Sequence, residues 1–464
     1  MPETPTGPLR VAVIADSDTR WKWGALTARR IAPGSVVHGF LLRGRATPTA
    51  RQLAETGAAP DVLRETTLAG FTAGLADRPS GPEAPGEPGS DGTGRPAFDV
   101  VVLACVGGTI QALLHRLGRT WPATGRRPVI VTGYVGVVYE KLTDGLLLRH
   151  GADLVLANSR HDAERFRTVY AGAGTDSAAV AECALPFLDS ASVAHDPGAV
   201  ARGERPFRVV FAVQPSVPGS RAEREYLLDR VLAHARRHPD REVVLKLRSR
   251  PGEHTTHVEE LPYQRLVART KGDRPANFRL SYGNMGEILD GTDLLVTVSS
   301  TAALEALHRS VPTAVLTDLG IREPLGNHYF LGSGCFASWD QLDAGHLPVP
   351  DPRWLTDHGV STAGDRAFAA AGERLAALLD RAATTGLPPL APFYSPRTAP
   401  GYLPGVLARH GLDSKGEPLT AGTGRGAAPR LRAAVRRLVR RAARGAYRTA
   451  VQRVAPPIRR WGQL

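Results

Sequence analysis

Three consecutive hydroxyls, Ser299-Ser300-Thr301, with an acid one helical turn on at Glu305, form the run most suited to chemistry in this sequence. They follow the short apolar run Leu294–Val298 and precede Ala302–Leu307, which is strong helix sequence. Hydroxyls at the carboxyl end of a buried parallel strand, where a helix opens, meet unpaired first-turn N–H groups and the positive end of the helix dipole. The chemistry expected there is phosphate binding. One serine at such a place is accounted for by a helix cap, but three exceed that need. A second cluster, Lys246-Leu247-Arg248 followed by His254 and His257, also leaves the end of an expected strand. It would supply charge-assisted donors to a phosphate, although an exposed basic loop has the same composition.

Carboxylates complete the set. Asp16 and Asp18 follow the first expected strand, where one of them could take the proton from an attacking hydroxyl. The plainer reading is a helix cap, with Lys22 one turn on as a partner for Asp18. Asp144, in Thr143-Asp144-Gly145, is the second candidate base. Gly283 and Asn284 open a helix in a turn that permits close approach to a nucleotide base; a simple helix start reads the same way. Asp318 and Asn327 follow the last strand of the series and are expected near a donor sugar on location alone.

These residues need strand ends to hold them. Apolar, β-branched runs predict strands at 9–15, 36–42, 99–104, 128–134 and 154–157, and again at 207–213, 243–248, 278–282, 294–298 and 311–316. Helical stretches alternate with them, as at 160–170 and 220–237. The fold class is therefore α/β, with two Rossmann-like, doubly wound domains facing a cleft. Residues 1–200 are the expected acceptor domain and 205–385 the nucleotide-sugar donor domain. The Pro-, Gly- and charge-rich segment 77–96 reads as a disordered loop. A Pro-rich crossing segment is expected at 386–424 and a basic tail at 425–464. No internal sequence repeat is evident.

The hydroxyl run with Glu305 resembles the phosphate-binding SS/ST motif of GT-B glycosyltransferases, found in bacterial sialyl- and polysialyltransferases and in capsule and teichoic-acid polymerases. Arg250-Pro251 stands where those enzymes carry a His-Pro pair, with the histidines displaced to 254 and 257. Thr143-Asp144-Gly145 resembles their acidic motif with its first acid missing. Over most of residues 9–385 the chain resembles actinobacterial-type glycosyltransferases of GT-B arrangement. The resemblance implies inverting transfer without a metal or other cofactor, the leaving phosphate being met by protein donors. Asp16-x-Asp18 also looks like the metal-binding DxD of the other large glycosyltransferase class, but its place after the very first strand argues against that. The resemblance implies a CMP-linked nonulosonic (sialic-acid-like) donor, with a CDP-polyol or UDP-sugar as alternatives. The acceptor would be a growing or lipid-linked cell-envelope glycan. A catalytically inactive nucleotide-sugar-binding scaffold is the alternative of another class. A UDP-sugar 2-epimerase shares the fold class, but needs further acid and base residues that the sequence does not identify.

Composition bounds the rest. Three dispersed cysteines and no CxxC fit a reduced protein without structural zinc. The N-terminus lacks the pattern of a signal peptide, and no stretch is long and apolar enough to span a bilayer. Of the net charge of +13, twelve arginines without an acid lie from Arg425 onward. At roughly 1 kcal/mol per Arg near an anionic leaflet, this tail is expected to associate with a membrane surface. Nucleic acid would suit the charge equally, but no nucleic-acid module accompanies it. The expected location is cytoplasmic, peripheral on the inner face of the plasma membrane.

Overall fold

The computed structural model describes residues 7–76, 96–121, 127–136, 141–188, 194–253, 259, 261–270, 273–361 and 365–419. His254, His257, nearly all of segment 77–96 and the basic tail 425–464 lie outside these residues.

The first sheet contains β1 (Arg10–Ala15), β2 (Val36–Leu42), β3 (Val62–Thr66), β4 (Val100–Ala104), β5 (Val129–Gly133), β6 (Leu154–Ala157) and β7 (Val180–Glu182). The second contains β8 (Arg208–Ala212), β9 (Glu242–Lys246), β10 (Phe278–Ser281), β11 (Leu294–Thr297), β12 (Thr313–Leu316) and β13 (Phe336–Ala337). All ladders are parallel, and the orders are β3-β2-β1-β4-β5-β6-β7 and β10-β9-β8-β11-β12-β13. The two sheets share a winding order despite the lack of a sequence repeat. In each, the direction of winding across the sheet reverses between the first and fourth strands, which opens a crevice at their carboxyl ends.

Alternation along the strands divides the core. Val11, Val13 and Ala15 face a cluster that also takes in Val210, Ala212, Leu295 and the helix Ala302–His308. Ala12 and Ile14 face the helix Gly107–Thr120 in a separate cluster, and Val209 and Phe211 face a third, around the helix Arg221–Arg237. Both faces of each sheet are thus covered, which is why these strands read as continuous apolar runs. The edge strands β3, β7 and β13 escape that pattern: β3 is mostly exposed, and β7 and β13 have three and two residues.

The expected domain boundary at 385 is corrected. The helix Ala369–Thr384 packs on β5, β6, β7 and the helix Asp18–Ile31, all in the first domain. The chain has therefore returned before residue 369. Ala371 and Leu375 are buried in the cluster of Val129 and Leu154. The apolar stripe is plain in the sequence, but which sheet it covers is not. Residues 386–418 continue along the same domain. Pro388 O accepts from Arg127 Nη2 at 2.6 Å, Tyr394 O lies 2.6 Å from His115 Nε2, and Leu403, Leu407 and Leu412 join the cluster against Gly107–Thr120. All three cysteines are buried free thiols. No helix among the described residues is long and apolar enough to cross a membrane.

Candidate active site

The loops after β1 and β4 meet where the first sheet reverses. Asp16 Oδ2 accepts from Val106 N at 2.9 Å, and Oδ1 accepts from Arg20 Nη1 at 3.0 Å. Ser17 caps the helix Asp18–Ile31 through Arg20 N at 3.4 Å. Asp18 therefore begins the helix rather than capping it. Its Oδ1 accepts from Thr19 N at 2.8 Å, while Oδ2 faces the other domain.

The second sheet repeats the device with different chemistry. Gln214, just past β8, accepts from Ser299 N at 3.0 Å through Oε1 and donates from Nε2 to Ser299 Oγ at 3.1 Å. Gln214 was not singled out from the sequence. Its signal is positional, since it follows β8 much as Asp16 follows β1.

Across the cleft, Arg248 Nη2 donates to Asp18 Oδ2 at 2.7 Å and also contacts Thr19 Oγ1. Lys22 Nζ lies 3.6 Å from Glu305 Oε2 and 4.8 Å above the Phe187 ring, so its partner is Glu305 rather than Asp18. Thr301 Oγ1 lies 3.3 Å from the position a Cβ on Gly136 would take. Arg51 Nε donates to Glu253 Oε1 at 2.6 Å, and Arg51 also contacts Glu55. Burial raises the Glu253 pKa, but hydrogen bonds from Arg51 and the Arg250 N–H outweigh it and leave the carboxyl below its ordinary value. Acids and bases from both sides therefore alternate along this seam. Arg51 and Glu253 carried no motif, because each gains meaning only from the other, about two hundred residues away.

Lys246 ends β9 beneath the seam. Its Nζ donates to Leu247 O at 2.8 Å. Burial, then repulsion from Arg248, pulls its pKa down to about 8, against the pull of Glu55 and Glu305. A buried ammonium with so little compensation is poised for an incoming anion.

Several expected site residues have other duties. Ser299 is 2% exposed, and its hydroxyl is spent on Leu325 O and Gln214. Ser300 Oγ accepts from Ala302 N at 3.2 Å in the turn before the helix, whose cap position, Thr301, makes no side-chain capping bond. Of the three hydroxyls, Thr301 is the one at the opposing domain. Asn327 is fully buried, accepting from Arg322 N and donating to Leu316 O and Gly320 O, so its amide is spent on holding a loop together. Asp318 is occupied by Trp339 N and Tyr226 Oη. Asn284 caps its helix through Gly286 N at 2.8 Å and donates to Glu55 O at 3.0 Å, bridging the domains. Gly283 is required by its φ of 108°. Asp144 is exposed on the short helix Leu142–Leu147, and among the described residues no side-chain hydrogen bond ties it to Asp16 or Asp18.

Ser299→Ala is accordingly expected to cost stability, not binding. Stranding Leu325 O and Gln214 should lower unfolding free energy by about 1–3 kcal/mol, read by denaturant titration. Nucleotide affinity should stay within about threefold, about 0.6 kcal/mol.

Two doubly wound domains with a polar, interlocked cleft between their strand ends define the GT-B arrangement of nucleotide-sugar enzymes. Residues 11–378 match the family described as "Putative glycosyltransferase (DUF6716)", and the chain belongs to that family of enzymes. No curated protein sequence gives a significant match. Among solved structures it is similar to the Methanocaldococcus jannaschii UDP-GlcNAc 2-epimerase in complex with UDP-GlcNAc and UDP, at 11% identity and TM-score 0.49 over 80% of this chain and 99% of that one. Anabaena Alr3699/HepE in complex with UDP and glucose gives 11% and 0.43 over 80% and 95%. The S. aureus MnaA–UDP structure gives 12% and 0.43 over 79% and 95%.

Proposed function

We propose that this chain is an inverting glycosyltransferase that draws a sugar from a nucleotide-activated donor by direct displacement. The supporting observation is the 2.7 Å contact between Arg248 and Asp18, which joins a phosphate-binding candidate to a candidate base across the cleft. The donor phosphate would take the Arg248 guanidinium and release Asp18 Oδ2. Asp18 then accepts the proton of the acceptor hydroxyl as its oxygen bonds to the anomeric carbon. The bond to the nucleotide phosphate breaks on the opposite face, and Lys246 and Arg248 hold the leaving charge. Asp16, clamped by Arg20 and Val106, positions the loop that carries Asp18. No metal or other cofactor is assigned to this displacement.

By resemblance of the SSTAALEA stretch, the proposed donor is a CMP-linked nonulosonic acid, with CDP-polyols and UDP-sugars as alternatives, and the acceptor is a cell-envelope glycan. A thermal-shift panel of CMP, CDP, UDP, UMP, GDP and ADP tests this. Selective stabilisation of about 2.7 kcal/mol at a hundredfold excess over Kd identifies the nucleotide. CMP selectivity supports the nonulosonate or CDP-polyol reading, both of which release CMP, UDP selectivity supports a hexose donor, and no response removes the proposal. We further assign the arginine-rich tail to an anionic membrane surface at the cytoplasmic face. Equal pelleting with liposomes with and without residues 425–464 would refute that.

Lys246 makes binding pH-dependent. An anion needs the ammonium, so affinity for the selected nucleotide should fall about tenfold per unit as pH rises above about 8. Without ligand the sign for stability is opposite. The folded pKa lies below the unfolded one, so the folding penalty of Lys246 is full below pH 8 and is relieved between there and about 10.4. Lys246→Met should flatten both profiles, as isothermal titration and melting at stepped pH would show.

A further inference from the structure

A cluster at the opposite end of the second sheet has no part in the proposed transfer. The helix Arg221–Arg237 ends at His238, whose N–H donates to His234 O at 3.0 Å. The two histidines thus stand one turn apart, with ring centroids 4.6 Å from each other. His234 is fully buried, and its Nδ1 lies 2.6 Å from Asp343 Oδ1, at the end of the helix Trp339–Asp343. A carboxylate there fixes the Nδ1–H tautomer and leaves the lone pair on Nε2. That nitrogen meets Arg241 Nη1 only at 3.4 Å. His238 Nε2 is buried and has no hydrogen-bond partner among the described residues.

One ligand atom from each of His234, His238 and Asp343 lies within 4.8 Å of the others. We propose that these three residues form a binding site for a borderline divalent transition-metal ion, with Zn2+ the best fit. Two imidazoles at i and i+4 match its nitrogen preference, with Asp343 acting behind His234 and water completing the shell, whereas Mg2+ and Ca2+ favour oxygen alone. The carboxylate supplies negative charge and orients His234, and the partly exposed side of His238 gives the ion its way in. Arg230 holds the other carboxylate oxygen at 3.1 Å and keeps Asp343 in place. The Arg241 guanidinium has to swing outward when the ion enters. His238 lies before the amino end of β9, whereas the cleft loops leave the carboxyl ends. The ion is therefore structural, fastening Arg221–Arg237 to Trp339–Asp343.

The full chain, stripped with EDTA, is titrated with Co2+ while the visible d–d absorption is recorded, and then competed with Zn2+. One saturable site displaced by Zn2+ is expected, together with a rise in melting temperature on zinc addition. His238→Ala should weaken Co2+ binding at least tenfold without unfolding the metal-free protein. Asp343→Asn should weaken it less. Absence of a saturable spectrum, or an unchanged affinity in His238→Ala, overturns the proposal.

Discussion

Asp18→Asn is expected to slow glycosyl transfer by about 10²–10⁴-fold while tightening, not weakening, the hold on the donor nucleotide. The two effects share one cause. In the ligand-free cleft the Asp18 carboxylate occupies Arg248, and a phosphate must displace it. The amide cannot accept the acceptor's proton and also gives up the guanidinium more readily. A partly exposed pair is worth about 0.2–1 kcal/mol, so the gain in nucleotide affinity should be about 1.4- to 5-fold. Turnover is read as nucleotide released from the donor selected by the panel, and affinity by isothermal titration. Retention of more than a tenth of the activity would move the base to Asp16 or Asp144. Weakened nucleotide binding would break the proposed exchange of partners.

Arg248→Ala acts in the opposite sense. A hydrogen bond to a charged group contributes about 1.5–3 kcal/mol, which is about 12- to 150-fold in nucleotide affinity. The loss should be largest for diphosphates if the guanidinium meets the terminal phosphate. Stability should change little, since the arginine side chain is 37% exposed and solvent screens its pair with Asp18. The double variant Asp18→Asn/Arg248→Ala should bind nucleotide no better than Arg248→Ala alone, because the gain from Asp18→Asn runs through the guanidinium. An additive result would show that the two residues act separately.

The strands that carry these residues were legible because they are buried on both faces, so β1, β4, β8, β9 and β11 read as unbroken apolar runs. Their carboxyl-terminal loops followed, and with them Asp16, Asp18, Lys246, Arg248 and Thr301. The edge strands β3, β7 and β13 did not, since exposure or brevity removes the pattern. Residue type misled at Ser299 and Asn327. A hydroxyl and an amide beside a cleft look available to a ligand until the carbonyls they satisfy, Leu325 O and Leu316 O, are seen. Gln214, Arg51 and Glu253 were invisible for the converse reason. Their partners Ser299, Glu253 and Arg51 are remote in sequence, and a pairing over such a distance leaves no local spacing to read.

The return of Ala369–Thr384 to the first sheet sets an order of events during synthesis. The strands of the second domain, 208–337, are contiguous in the chain, so that domain can close as soon as it has emerged. The first domain cannot. Its sheet is complete by β7, yet the cover over β5, β6 and β7, and the Pro388 carbonyl that Arg127 holds, arrive nearly two hundred residues later. The half of the molecule that leaves the ribosome first is the half that finishes last. In the interval the future seat of Ala371 and Leu375 is an open apolar face, a surface on which nascent chains would aggregate or chaperones would bind.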